Sequence, residues 1–157
     1  MMDIVTASGH IIQIDYEDYE IVQPFTWRIA AMRKGNQYAQ TSVYLGKQDG
    51  KKTYATLRMH RLIMSMPLYS DLFVDHIDGD GLNNQKNNLR ICTSRQNSHN
   101  TGPRVGEYRW VFPYKGKWMA RVKNNYLGLF ANAIDAAKAA NAEAIKQYGK
   151  FARLNNV

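Results

Sequence analysis

Val74-Asp75-His76-Ile77-Asp78-Gly79-Asp80-Gly81-Leu82-Asn83-Asn84 sets a carboxylate beside an imidazole at the end of a β-type run. Residues 72 to 77 have strand character, and Gly79-Asp80-Gly81 must turn that strand into a loop. Leu89-Arg90-Ile91-Cys92 resumes β character. Thr93-Ser94-Arg95-Gln96 then has the form of a capping box, with Thr93 as N-cap and Gln96 three residues on, and starts a helix whose first turns hold Asn97. Two strands and a helix of this kind bring three separated positions, Asp75-His76, Asn88 and Asn97, toward one point. The expected fold class is α+β.

The residue types suit one chemistry. Hydrolysis of a phosphodiester requires an attacking hydroxide, a cation on the scissile phosphate and relief of the leaving alkoxide. Histidine near its free pKa takes a proton from water at neutral pH. Asp75 offers a hard anionic oxygen suited to magnesium, and Asn97 a neutral carbonyl oxygen. Asn88 can accept from the imidazole N–H and hold the ring in its reactive orientation. His99 and Asn100, on the same short helix as Asn97, are alternative ligands if the register moves by one turn. Asp78, Asp80, Asn83 and Asn84 read as ordinary loop formers. A calcium loop is set aside, because its register would put His76 first and Asn87 last, where carboxylates are needed. Cys92 is the only cysteine, so an internal disulfide and a Cys-rich zinc site are both excluded.

Upstream, residues 4 to 6 and 11 to 14 form a candidate hairpin around Ser8-Gly9, followed by a turn or short helix over residues 15 to 19. Three β-rich runs, residues 27 to 32, 37 to 45 and 53 to 59, predict an antiparallel meander. Their hairpin loops are Lys34-Gly35-Asn36 and residues 46 to 51. Residues 60 to 64 form a brief helix ahead of Pro67. His60 has two readings there: a group facing the catalytic cleft, or a structural residue at a strand end. Trp27 is read as core.

Downstream of a boundary at Thr101-Gly102-Pro103, the predicted strands are residues 108 to 112, 117 to 123 and 126 to 130, with turns at residues 113 to 116 and 124 to 125. A helix follows from Asn132 as N-cap to Gly149 as stop. Alternation puts Trp118, Ala120 and Val122 on a helix-facing side and Lys117, Met119, Arg121 and Lys123 on the other. Two domains are therefore expected, residues 1–102 with a core at about residues 60–101, and residues 103–157. Residues 1 to 72 carry a net +1, residues 73 to 102 net 0 and residues 103 to 157 net +7. That asymmetry is the footprint of a module for a polyanion. No apolar run has spanning length and no leader-like pattern opens the chain, so a soluble, cytoplasmic protein is expected.

Asp75-His76, the Gly/Asn-rich loop, Asn88-Leu89-Arg90 and Ser94-Arg95-Gln96-Asn97 resemble the HNH family of ββα-metal nucleases, in its His-Asn-Asn variant found among phage and intron-encoded homing endonucleases. The intervals of 12 residues from His76 to Asn88 and 9 from Asn88 to Asn97 fit that family. The resemblance implies His76 as general base, Asp75 and Asn97 as ligands of one Mg2+ or Mn2+ ion, and Asn88 as the residue that orients His76. Tyr108-Arg109, Lys117-Trp118, Leu127-Gly128 and the run Phe151-Ala152-Arg153-Leu154-Asn155 resemble the DNA-binding domain of plant ethylene-response factors. That resemblance implies DNA contacts by Arg109, Arg121, Lys123 and Tyr126, with Lys117 beside them. Trp110 stands where that family usually has glycine, and Phe112 where it often has arginine. The combined expectation is a metal-dependent endonuclease acting on double-stranded DNA, of homing type, nicking as a monomer, with no membrane or protein partner implied. The alternative is a DNA-binding regulator or architectural protein whose HNH core is degenerate.

Overall fold

Alternating apolar residues on short strands need a shared layer to bury against, and the first half of the chain supplies it by stacking three small sheets and a helix around one core. The computed structural model describes residues 1–31, 36–100, 102 and 106–157. Its contacts divide the chain into two compact units, Met1–Ser94 and Arg95–Val157.

In the first unit, β1 (Met2–Val5) and β2 (Ile11–Ile14) form an antiparallel hairpin. A 3-10 turn (Tyr16–Asp18) and the short helix α1 (Tyr19–Val22) follow. β3 (Arg28–Ala31), β4 (Gln37–Gln48) and β5 (Lys51–Arg58) make the expected meander in the order β3-β4-β5. The loop foreseen at residues 46 to 51 is shorter than expected. Pairing runs on to Gln48 opposite Lys51, with a register shift between Tyr44 and Gly46. Only Asp49 and Gly50 make the turn, at φ 51° and 77°. Two consecutive left-handed residues match the strand twist, and Asp-Gly suits both positions. Most of Lys34-Gly35-Asn36 lies outside the described residues. Helix α2 (Met59–Ile63) leads to the hairpin of β6 (Phe73–His76) and β7 (Leu89–Cys92), in which Asp75 pairs with Arg90 and His76 with Leu89.

Ile12, Ile14, Val22, Trp27, Ala39, Leu57, Met59, Ile63, Val74 and Leu89 share one buried cluster, with Ile4 and Ile29 packed against it, so β1 to β7 and helices α1 and α2 contribute to the same core. Trp27 is core, as expected, and its indole N–H donates to the Val22 carbonyl at 2.9 Å.

The loop between β6 and β7 is sewn to the N-terminal hairpin. Gln13 N–H donates to the Leu82 carbonyl at 2.9 Å, and Asn84 N–H donates to the Gln13 carbonyl at 2.7 Å. The Asp15 carboxylate accepts from the Gln85 side chain and from Lys86 N–H at 3.1 and 2.8 Å. Lys86 pairs with Glu17 and Asp18, each at 2.8 Å. Gly81 is required there by close approach: a Cβ would lie 2.1 Å from the Gln37 carbonyl oxygen and 2.6 Å from the Tyr38 ring. Gly81→Ala must move backbone, and a loss of about 1–3 kcal/mol is expected, as for other overpacked sites. Thermal unfolding of the variant measures it.

The second unit begins with the end of α3 (Ser94–Asn97) and a 3-10 turn (Ser98–Asn100). A three-stranded sheet follows, in the order β10-β9-β8, from β8 (Val111–Tyr114), β9 (Lys117–Val122) and β10 (Asn125–Phe130). β8 begins later than the expected residue 108, because Trp110 has φ 64° and cannot continue a strand. The second turn falls on Lys123-Asn124 instead of residues 124 to 125, with Lys123 at φ 52°. Helix α4 (Ala133–Tyr148) is capped by Asn132, whose side chain accepts from Asp135 N–H at 2.8 Å. Ala136, Ala137 and Ala140 of α4 meet Val111, Ala120 and Val122 of the sheet in the core. Small side chains let helix and sheet approach closely, as the alternation in β9 implied. Asn155 ties the C-terminal segment in place: its side chain accepts from Arg109 N–H at 2.6 Å, and its own N–H donates to Asn141 at 2.8 Å.

Candidate active site

His76 ends β6 with its side chain buried, 4% exposed. Its ring lies edge-on to His60, with centroids 5.0 Å apart, and tilted against Tyr38 at 5.7 Å. His76 Nε2 is 3.3 Å from Asn84 Oδ1. Asn84 is fully buried and its side-chain N–H donates to the Leu82 carbonyl at 3.1 Å, so the amide presents its oxygen to the ring. An Nε2–H donated to that oxygen leaves Nδ1 as the basic nitrogen in the neutral tautomer. Burial pushes the His76 pKa below its ordinary 6.5, against opposing pulls from the Asn84 hydrogen bond and from Asp78, Asp75 and Asp80. The ring is therefore neutral near pH 7, the form a general base needs.

Adjacent strand residues point to opposite faces, and Asp75 takes different company. Its Oδ2 accepts from Arg90 Nε at 2.8 Å and Nη2 at 2.6 Å. Both side chains are largely buried, at 6% and 12% exposed.

Asn88 is also buried, but its bonds are not the expected ones. Its Oδ1 accepts from Asp78 N–H at 3.1 Å, and its Nδ2 donates to Asp78 Oδ1 and the Asn83 carbonyl, both at 2.9 Å. Asn88 staples the loop that follows His76, and the amide beside the ring is that of Asn84. Asp78 and Asp80 are loop formers, as read: Asp78 Oδ1 accepts from Asp80 N–H at 2.8 Å and Asp80 Oδ1 from Leu82 N–H at 2.9 Å. Burial would raise the Asp78 pKa, but the Asp80 N–H and the Asn88 and Asn83 amides outweigh it and hold the carboxyl below 3.8.

His60 of α2 is the neighbour that the sequence understated. It is 4% exposed, its Nδ1 is buried with no hydrogen-bond partner among the described residues, and Tyr38 packs edge-on to it at 5.5 Å. Burial, then the positive fields of His76, Arg58 and Arg61, push its pKa down to about 3. His60, neutral at pH 7, sets an aromatic ring edge-on to His76.

Asn97, half-buried, belongs to the second unit with His99 and Asn100. His99 stacks on Tyr148 at 4.2 Å, its carbonyl accepts from the Arg109 guanidinium, and Asn100 is buried. Of the expected DNA-contact residues, Lys117, Arg121, Lys123 and Tyr126 are exposed. Arg109 is half-buried, its guanidinium over the Trp110 ring at 4.0 Å.

The described residues contain no group of three or more His, Cys, Asp or Glu that could hold a metal. A hard cation is nevertheless compatible with the donors present. Magnesium binds through one or two carboxylates and completes its shell with water and substrate phosphate. Asp75, whose Oδ2 accepts from Arg90, is a carboxylate that would suit such a role.

β6 thus ends in a buried histidine, followed by a loop that Asn88 staples. Residues 58–99 match the family model described as HNH endonuclease. An uncharacterized HNH endonuclease of Acanthamoeba polyphaga mimivirus is 31% identical to it, over 73% of this chain and 66% of the relative, slightly less than two thirds of that protein's length. No solved structure matches the chain.

Proposed function

We propose that this protein is a metal-dependent DNA endonuclease in which His76 takes the proton of the attacking water. The observation that carries this reading is the buried, neutral His76 ring braced by Asn84 and His60 inside the HNH-matching segment. Asp75, with Asn97 assigned from the motif register, would hold one magnesium or manganese ion, which would stabilise charge on the scissile phosphate. Asn88 acts by fixing the loop that follows the base. Double-stranded DNA is the proposed substrate, with the exposed cations Lys117, Arg121 and Lys123 engaging its backbone. Nicking follows from one such centre per chain, and a homing role in a phage or viral setting, within the host cytoplasm, is the biological context we favour. Among the described residues no helix is long and apolar enough to cross a membrane.

One observation favours a second reading, a DNA-binding regulator with a degenerate HNH core: the carboxylate expected to hold the ion is engaged by Arg90. Incubating purified protein with supercoiled plasmid, with and without magnesium, separates the two. Magnesium-dependent conversion to nicked or linear forms supports the nuclease; intact plasmid in every lane supports the regulator. Engagement of ~6 phosphates predicts an affinity loss of about a thousandfold between ~50 and ~200 mM salt. A flat salt response would remove the basic face from the interface.

A further inference from the structure

The second unit contains a cavity of about 650 Å³ that the endonuclease chemistry does not use. Its floor is the outer face of the sheet, where Phe112 of β8 lies opposite Met119 of β9 and Arg121 follows on the same face. Arg95 and His99 of the preceding helical segment, with Trp110 and Tyr148, also line it. The aromatic walls are ordered: His99 stacks on Tyr148 at 4.2 Å, and Trp110 on Tyr148 at 6.1 Å. The Lys123 ammonium lies 4.9 Å from the centre of the Tyr148 ring.

Positive charge converges here without compensation. No carboxylate lines the cavity, and among the described residues Arg95, Arg121 and Lys123 form no ion pair.

Cations and aromatic faces around a cavity of this size suit a ligand that is anionic at one end and a flat ring at the other. A nucleotide has that form, and the volume lies in the range of small-ligand sites. In an intact duplex the bases are stacked and present only their edges, so a concave site of this kind is filled by a nucleotide that has left the stack. We infer that the cavity of the second unit binds one unstacked DNA nucleotide, its base against Trp110 and Tyr148 and its phosphate at Arg95, Arg121 and Lys123. This rests on the proposal of DNA as substrate and narrows it: the cleaved target is still a duplex, but in the second unit Arg121 and Lys123 take the backbone of a single or locally opened strand in preference to closed duplex.

The test uses the full chain with chelator and no added metal, so its outcome is independent of whether plasmid is cut. Anisotropy titrations compare a labelled octathymidylate, an abasic octamer with the same phosphates, and a duplex of equal length. The octathymidylate is expected to bind about tenfold or more tighter than the abasic strand, the range for loss of base stacking, and tighter than the duplex. Trp110→Gly should erase the thymidine advantage while the salt slope persists. Glycine adopts the φ of 64° that Trp110 holds, so the backbone tolerates the change. Arg121→Gln, at an exposed position, should lower the slope of log affinity against log salt by about 0.7 for both single strands. Equal binding of thymidine and abasic strands would reduce the site to general phosphate attraction and overturn the inference. A duplex that binds more tightly than either strand, or a thymidine advantage that survives in Trp110→Gly, would overturn it as well.

Discussion

His76→Ala is expected to lower the rate of plasmid cleavage by about a hundred- to ten-thousand-fold, the range for loss of a general base, with DNA affinity little changed. The ring is buried against His60, Tyr38 and Asn84, and its removal takes from the buried Asn84 Oδ1 the N–H it accepts but leaves no ionised partner behind. The base therefore goes without a charge being stranded. Because burial lowers the His76 pKa below 6.5, the wild-type rate should rise with pH below that value and level off by about pH 7. Single-turnover cleavage across that range reads the profile; a rate still climbing steeply above neutrality would assign the proton transfer to another group. Asp75→Ala is a poorer probe than its place beside His76 suggests. It leaves the Arg90 guanidinium largely buried without its carboxylate, which typically costs about 3–5 kcal/mol, so lost activity would mix with lost fold. Asp75→Asn keeps the volume and is the cleaner change.

Acid should weaken the first unit as pH falls below the ordinary histidine range. His60 has a folded pKa of about 3 against an ordinary 6.5, so between those values the unfolded chain binds a proton that the folded chain refuses. Stability from this group is full above about pH 6.5 and falls steadily as pH drops toward the folded value. Between about pH 7 and 4.5 the loss from His60 alone is roughly 2–3 kcal/mol. His76, also depressed, adds in the same direction. Asp15 and Asp78 sit below 3.8 and act mainly under that window. Denaturant midpoints measured across it should fall for the wild type and fall much less for His60→Phe, which keeps an aromatic edge against His76. Parallel lines for the two proteins would mean that His60 is solvated.

Local patterns carried most of the architecture. The period of two in β9 gave its faces correctly, Asn132 and Gly149 bounded α4, and β6 and β7 fell where β-type residues flank the Asp/Gly/Asn loop. Tight turns were the weaker part: Asp49-Gly50 was placed inside a longer loop, and the bulge that lets β4 run on to Gln48 leaves no local trace. The site was legible only along the chain. His76 stood out from its chemistry, but its neighbours come from far away in sequence: Tyr38 from the meander, His60 from α2, and Asn84 from a run of four loop-forming residues that all looked alike. Asn88 drew the orienting role because twelve residues is a persuasive interval. An interval cannot say which of two nearby amides faces the ring. Trp110 was noticed as a departure from glycine, and its positive φ shows that the backbone demand persists although the residue differs.

The stitching of the catalytic loop to Gln13, Asp15, Glu17 and Asp18 has a consequence for protein engineering. The stretch matching the HNH family begins at residue 58, and a chimera cut there would discard the strand that receives Leu82 and Asn84, the carboxylate that anchors Lys86, and Tyr38 beside the base. A transplantable cassette therefore runs from Met1 through the end of the HNH-matching stretch at residue 99, so that it keeps the proposed ligand Asn97. A graft that keeps the supports of this loop must move the N-terminal hairpin and meander together with the motif.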